Sequence, residues 1–429
     1  MFFPCSITSG QHFLRRPKTQ DWERFDYYAP RVRRFGHLWR RCREQDMLNR
    51  YNAVLDLLSK SRTYLLPNVR ECLLDFTDTS SSPLPPDHNP IYRLYLGPAV
   101  TSIQISTNSY DDSHFDLLRS DLVSLDPQIQ HLTVASRDSI SGKASPRADA
   151  GVFTLISSLH DLRTLHFTDI IFPQSIITHL ATQSSLTMLM SIYVPSSHVG
   201  TFAAAGFSSL KGLHLIIEGW SSALSILSSM NCKFTSLSVE CFDNSESLPI
   251  IRDFIETLRP SFETLSTFAL QSYSVTFSAF DLGTEGLDVI RPLLLCKQLR
   301  DVTLHLNFLE VLDDSCLLET ISAWPLLESF SLMRAGAWGV FQRPRMTLKG
   351  LVSLIRHFPR LQVLHLSLSL HEADISLFNG ISTSHIRLLE LKPIVQQETL
   401  EKFSQALKNL FPKYYRVPSF SPCIVLRRD

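Results

Sequence analysis

The residues of this chain with the best prospect of doing chemistry are three histidines that occupy equivalent places. His166, His214 and His365 stand in the runs Leu165-His-Phe167, Leu213-His-Leu215 and Leu364-His-Leu366. In an extended strand such alternation sends the imidazole to the face opposite its apolar neighbours. A shared ligand site is one outcome of that placement. With stacked strands about 4.8 Å apart, however, His166 and His214 would stand roughly 10 Å from each other and His365 much farther away. That spacing rules out one common metal, so solvated surface histidines are the expectation. His371-Glu372-Ala-Asp374 lacks the second histidine that a zinc-protease helix places four residues after the first. Gly142-Lys143-Ala144 lacks the first glycine and the following Ser/Thr of a phosphate-binding loop. There is no G-x-S-x-G elbow and no dinucleotide fingerprint. No catalytic, cofactor-binding or metal-ligating set is therefore expected, and the chain is read as a non-enzyme.

Partner binding is the chemistry that remains. The segment Ala335-Gly-Ala-Trp338-Gly-Val-Phe341-Gln-Arg343-Pro-Arg345 is longer than a simple turn requires and is flanked by glycines. Tryptophan and arginine often dominate interface energy. Trp338, Phe341, Arg343 and Arg345, with the outward His166, His214 and His365, are thus the candidate partner-binding residues. Trp338 and Phe341 could equally cover the core of their own segment.

Eight cysteines (Cys5, Cys42, Cys72, Cys232, Cys241, Cys296, Cys316 and Cys423) are scattered with no C-x-x-C pair. Neither a zinc site nor a small disulfide framework is encoded, and reduced, mostly buried thiols are expected. Met1-Phe-Phe-Pro4-Cys5 has no basic start and no long apolar run, so no secretory signal is expected. The uncharged span from Ile170 to Leu210 is interrupted by Pro173, Pro195 and many Ser and Thr, which makes it too polar for a membrane helix. An intracellular protein of cytoplasm or nucleus is the reading. The formal charge is zero, yet residues 1–50 hold 11 Lys or Arg against 5 Asp or Glu, leaving a mildly acidic remainder. A solvated or docking face is the first reading of that basic segment, with nucleic-acid contact as an outsider.

The elements that must carry these residues are legible as a repeat. In Leu361-Gln-Val-Leu364-His-Leu366 the apolar residues fall at positions one, four and six. Upstream, Leu348, Leu351, Leu354, Ile355 and Phe358 share one helical face, and Pro359 marks the turn between them. The same signature begins at Val69, Val100, Ile129, Leu162, Leu186, Leu210, Phe234, Leu265, Leu299, Leu327, Leu361 and Ile386, at spacings of 24 to 34 residues. Leu186 breaks the pattern with Ser191 at position six. Only Asn108 and Asn307 occupy position nine, where regular leucine-rich repeats carry an asparagine ladder, so uneven turns are expected. One-sided helical faces also recur at Phe115 to Leu125, Leu248 to Leu258, Leu317 to Trp324 and Leu400 to Phe411. Two connections differ. Residues 80–86 are proline-rich, and residues 136–150 read as a polar insertion.

Asp21-Trp-Glu-Arg-Phe25-Asp-Tyr-Tyr-Ala-Pro30-Arg-Val-Arg-Arg-Phe35 predicts a short helix ended by Pro30, then a strand entered by Val32 and Phe35. This run resembles the segment that follows the F-box in a large group of fungal F-box proteins with degenerate leucine-rich repeats. Ile321-Ser-Ala-Trp324-Pro325 and Thr347-Leu-Lys-Gly-Leu351 to Leu361 are similar to late repeats of that group. The resemblance spans residues 21–411. It implies the substrate-holding half of a ubiquitin-ligase receptor, with no catalytic residue. The residues ahead of Asp21 are too few for an F-box, so ligase-adaptor binding is expected only if that module lies upstream of this chain.

The resulting expectation is an α/β protein, an irregular leucine-rich-repeat-like solenoid of about twelve helix–strand units with a parallel sheet on its concave side. A basic, partly helical segment (1–60) precedes the solenoid (61–411), and a C-terminal tail (412–429) follows. Its function would be recognition of a protein partner, without cofactor or membrane, with an orphan interaction scaffold outside ubiquitin chemistry as the alternative.

Overall fold

The apolar residue that opens each repeat is buried in all twelve units, from Val69 at 0% exposure to Phe234 at 3%. Position four is equally buried, from Cys72 through Leu132 and Leu237 to Leu389. Each fully buried Leu, Ile, Val or Phe is worth about 1.5–3 kcal/mol, so three per repeat bind every strand to its helix layer.

A computed structural model of the chain describes residues 8–9, 12–13, 19–36, 64–75, 96–107, 112–125, 128–136, 150–168, 171–242, 248–272, 285–306, 312–332, 345–369, 386–394, 414–417 and 424–428. The 80–86 loop, nearly all of the 136–150 insertion, Trp338, Phe341, Arg343, the 371–374 motif and the Leu400 to Phe411 helix lie outside these. The chain forms two units, 1–192 and 193–429.

In the first unit, β1 (Thr8–Ser9) and β2 (His12–Phe13) form an antiparallel pair. Then come α1 (Thr19–Tyr28), β3 (Arg34–Gly36), β4 (Glu71–Asp75), β5 (Ser102–Thr107), α2 (Asp112–Leu125) and β6 (His131–Ser136). The unit closes with α3 (Ala150–Ser158), β7 (Thr164–Phe167), α4 (Gln174–Thr182) and the start of β8 (Met188–Val194), whose last two residues fall in the second unit. Strands β3 to β8 are parallel, each paired with its successor.

The second unit runs α5 (Val199–Ala205), β9 (Gly212–Ile217), α6 (Trp220–Ser229), β10 (Ser236–Cys241), α7 (Leu248–Glu256), β11 (Thr267–Ser272), α8 (Glu285–Ile290) and β12 (Asp301–His305). It continues with α9 (Asp314–Ser322), β13 (Ser329–Leu332), α10 (Leu348–His357), β14 (Val363–Ser369), β15 (Leu388–Ile394), β16 (Tyr414–Val417) and β17 (Ile424–Arg428). Strands β9 to β15 are parallel in chain order. The expected α/β class holds, and within each unit strand order follows the chain without the reversal of a doubly wound sheet, which makes a solenoid-like repeat arrangement.

One backbone device recurs at the strand entries. The carbonyl at position two of a repeat accepts the N–H groups of positions two and three of the next. Thr235 and Ser236 donate to Lys211, Ser266 and Thr267 to Thr235, Arg300 and Asp301 to Ser266, and Glu328 and Ser329 to Arg300, all within 3.1 Å. The chain continues through Glu328 and Gln362 to Arg387 and Leu388, and in the first unit from Arg33 through Arg70, Thr101 and Gln130 to Arg163. The uneven turns foreseen from the missing asparagines therefore leave the strand entries uniform. The same ladder shows that Val32 opens a further repeat, which lacks an apolar sixth residue because His37 stands there.

The break at Leu186 has a conformational cause. Ser191 is the one described non-glycine residue with positive φ, +58°. It adds an extra residue within β8, and Ile192, at 0% exposure, takes the buried place that position six vacated. Such a bulge shifts the side-chain alternation by one, so apolar periodicity alone misplaces everything after it.

Both chain ends depart from expectation. The N-terminal segment 1–60, expected to be partly helical, also contains the antiparallel β1–β2 pair ahead of α1. The 412–429 segment, read as a tail, contributes β17, antiparallel to β15, and β16, antiparallel to β17. An open edge of β15 would expose unpaired N–H and C=O groups, and β17 occupies it.

Two helix starts carry a side-chain cap. Asp313 caps α9 by accepting the Cys316 N–H at 2.9 Å, and Thr347 Oγ1 caps α10 by accepting the Lys349 N–H at 3.1 Å. The neighbouring Asp314 carboxylate accepts the Thr347 N–H at 2.8 Å and its hydroxyl at 2.5 Å, joining α9 to the start of α10. Gly350 leaves room for that carboxylate, since a Cβ there would overlap Asp314, its Cγ lying 2.8 Å away.

Two outcomes are expected in urea unfolding. Ser191→Val should cost about 1–2 kcal/mol, since a β-branched residue resists positive φ, whereas Ser191→Gly should leave the midpoint unchanged or higher. Gly350→Ala, which usually stabilises a helix by about 1 kcal/mol, should instead cost about 1–3 kcal/mol. That loss should shrink in the Asp314→Ala background, as coupled neighbours require.

Candidate functional site

Positions four and six face the core, so three, five and seven form the opposite face of the sheet. In the second unit the register aligns position five from His214 through Ser238, Ala269 and Thr303 to Ser331, His365 and Glu390. Position seven adds Glu240, Gln271, His305 and Ser367 on the same face. At position five small side chains fill the middle, with His214 at one end and His365 and Glu390 at the other, while Gln271 and His305 stand at position seven of the central strands.

These histidines are only partly exposed, where the sequence reading expects solvated surface side chains. The His214 side chain is 15% exposed, and its Nε2–H donates to Glu240 Oε1 at 3.1 Å, Glu240 itself being 19% exposed. His365 is 24% exposed, with Nε2 4.0 Å from Glu390 Oε2, which is too far for a hydrogen bond. Between them His305 Nε2 meets Ser331 Oγ at 2.8 Å. Burial pushes the His305 imidazole down to about 4, with nearby His365 adding to the effect and Glu240 opposing it. His365 is also lowered, by burial, against the pull of Glu390. The His305 and His365 imidazoles on this face are thus held towards the neutral form by burial.

His214 and His365 share one sheet but stand five strands apart, about 24 Å. In the first unit His166 lies in register between Thr133 and Met190, and its Nε2 contacts Ser191 Oγ at 3.1 Å. Of the loop candidates only Arg345 is described, and it is exposed. His305, Glu240, Glu390 and Ser367 were missed from sequence. For His305, Glu240 and Ser367 the available signal was the outward parity of position seven, two residues beyond the position inspected, whereas Glu390 stands at position five itself, where only histidines were singled out.

The His305–Ser331 pair has the atoms of a base and a nucleophile but not their setting. Ser331 is 4% exposed, and its strand is laddered to β12 and β14, so the N–H groups of these paired strands are engaged and not free for an oxyanion. Among the described residues no three His, Cys, Asp or Glu side chains are grouped to hold a metal. Burial raises the thiols of Cys72 and Cys296 to about 12 and of Cys232 to about 11, far from the thiolate that reacts. No described helix is long and apolar enough to cross a membrane.

A second polar knot stands at the end of β9. Glu218 accepts hydrogen bonds from the Tyr193 hydroxyl at 2.8 Å and from the Ser196 N–H at 2.9 Å and hydroxyl at 2.6 Å. The Ser196 bonds, then the Tyr193 bond, hold its carboxyl below the usual range, while burial and Glu218 raise Tyr193 to about 12. The donors come from the end of β8 and the turn that follows it, so this knot fixes that turn against the end of β9.

The lowered His305 value carries a definite pH dependence. The unfolded imidazole protonates near 6.5 and the folded one near 4, so stability is complete above pH 7 and falls as pH drops from 6.5 towards 4. His365 acts in the same direction. The lowered carboxylates Glu218 and Asp313 lose their contributions only below the ordinary carboxylate range, in a separate window. The melting temperature should therefore decline from pH 7 to pH 4.5, with His305 contributing up to about 3 kcal/mol. His305→Gln should flatten that decline.

No protein-family model matches this chain, and no curated protein does.

Proposed function

We propose that this chain is a non-enzymatic protein-recognition scaffold that holds an extended segment of a partner on the outward face of strands β9 to β15. The observation that carries this reading is the seven-strand register itself. It places Ser238, Ala269, Thr303 and Ser331 side by side, with His214 at one end and His365 and Glu390 at the other. Small central side chains admit a chain, and the half-buried polar groups supply directional hydrogen bonds. The helical layer buries the other face of these strands, so this face is the one available for recognition. Failure of the His305–Ser331 pair to meet the requirements of acyl transfer supports a binding role over a catalytic one.

The narrower reading comes from the resemblance to F-box proteins with degenerate leucine-rich repeats. In that reading the scaffold is the substrate-holding part of a ubiquitin-ligase receptor. The solenoid-like order of strands and helices across the region of resemblance supports it. Adaptor binding is assigned to no residue here.

Affinity capture from cells with the full chain, compared with Thr303→Arg, tests the scaffold role. The arginine would fill the centre of the face without touching positions one, four or six. Captured partner should fall at least tenfold while the melting temperature stays within about 3 °C. Equal capture by both proteins would sink the assignment of the face. Recovery of ligase adaptor, with and without residues 1–60, separates the receptor from an orphan scaffold. Salt-sensitive retention of nucleic acid lost with residues 1–60 would favour the third reading.

A further inference from the structure

Among the described residues five large apolar side chains are exposed, and two of them adjoin on α1, Tyr27 at 60% and Tyr28 at 50%. Their rings meet edge to face, with centroids 5.1 Å apart. The Arg31 guanidinium lies over the Tyr27 ring, 4.0 Å from its centroid, and 5.8 Å from that of Tyr28. The turn Ala29–Arg31 sets it there, with Ala29 buried and Pro30 ending the helix. Stacked on one another, the three side chains keep fewer rotamers, so a partner that covers them loses less entropy in binding.

The same turn meets the first strand entries. Arg33 Nη1 donates to the Pro30 carbonyl at 2.9 Å and to that of Asn68 at 3.3 Å, while Asn68 Nδ2 donates to the Pro30 carbonyl at 2.9 Å. Arg70 takes position two of the next repeat, its backbone N–H donating to the Arg33 carbonyl at 2.8 Å. One residue on, Arg34 pairs with Glu71 at 2.7 Å. Arg31, Arg33 and Arg70 are exposed, and among the described residues no carboxylate pairs with them. From Tyr27 to Phe35 the chain holds three arginines and no acid, the carboxylates Glu23 and Asp26 of α1 coming earlier. Uncompensated guanidiniums thus stand beside exposed tyrosines, the two residue types most enriched where interfaces concentrate their binding energy.

We infer that Tyr27, Tyr28, Arg31, Arg33 and Arg70 form a second docking surface, in the first unit, for an acidic segment of a protein partner. Among the described residues each of the three guanidiniums keeps N–H groups that no acceptor takes, and paired N–H groups fit the two oxygens of a carboxylate. The tyrosine rings give an apolar side chain between the carboxylates a place to lie. A nucleic-acid strand fits less well. After Arg70 the position-two row runs through Thr101 and Gln130 before Arg163, so about 14 Å passes without a cation, while a strand carries a phosphate at every nucleotide. Arg31 also takes one face of the Tyr27 ring, which leaves a poor stacking platform for successive bases. The surface does not depend on the recognition face of β9 to β15.

The test is isothermal titration calorimetry on the full chain at low salt. The probes are acetyl-Glu-Asp-Phe-Asp-Glu-amide, the same peptide with Gln and Asn in place of its acids, and a twelve-nucleotide oligothymidylate. The acidic peptide should bind saturably, and the uncharged peptide at least tenfold more weakly. Arg31→Glu and Arg70→Glu should each weaken the acidic peptide at least tenfold, and Tyr27→Ala at least threefold, with melting temperatures within about 3 °C of the parent because these side chains are exposed. Where a reversed charge unfolds the chain, Arg70→Gln takes its place with the same direction expected. Lys211→Glu, at position two of a repeat in the second unit, should leave the affinity within twofold. No saturable heat, equal binding of the two peptides, or equal weakening in Lys211→Glu and Arg70→Glu would overturn the inference. So would oligothymidylate that binds more tightly than the acidic peptide and is lost in the same variants, since the surface would then belong to nucleic acid. None of these outcomes bears on partner capture by Thr303→Arg, so failure here leaves the recognition face standing.

Discussion

Everything in this protein depends on a repeated backbone bond at the entry to each strand. One carbonyl at position two takes two N–H groups from the next repeat. The accepting carbonyls run from Arg33 to Arg163 in one unit and from Lys211 to Gln362 in the other, where Arg387 and Leu388 are the last donors. That bond needs no particular side chain, so it survives a sequence in which helices, loops and spacings vary. With strand entries fixed, positions one, four and six meet the helix layer, and they are apolar except where Ser191 and His37 take position six.

The same constraint creates the polar face. Strands held in one register stack position five on position five, so residues far apart in the chain become neighbours across the sheet. Ser331 and His365 adjoin in this way, as do His214 and Ser238. Close stacking also removes water, which is why His305 and His365 favour the neutral form although they lie opposite the apolar core. A buried imidazole held next to a serine looks reactive in isolation. In a parallel sheet the backbone donors that catalysis would need are already used in the ladder.

Legibility from sequence followed the strength of the local signal. Leu361, Leu364 and Leu366 announced their strand because three buried positions agreed, and the helix at Leu348–His357 was readable because its apolar face, its Thr347 cap and Pro359 all pointed the same way. Val32 was not counted as a repeat because His37 occupies its sixth position, although the backbone ladder continues through Arg33. Ser191 broke the pattern for a reason that apolar periodicity does not encode, a positive φ that shifts the burial to Ile192. Strands β16 and β17 were read as a tail because their pairing with β15 is antiparallel and nonlocal, outside the repeat.

By itself the sequence determined the α/β class, the twelve strand positions and the outward parity of His166, His214 and His365, because burial imposes its period on every repeat independently. Tertiary structure alone decided which outward residues meet. The partner of each depends on register between segments 24 to 34 residues apart, and neither the His305–Ser331 contact nor the Glu390 carboxylate near His365 has any local signature. It also decided their protonation, since the water that a strand loses to its neighbours is set by stacking and not by the residues on either side of it in the chain.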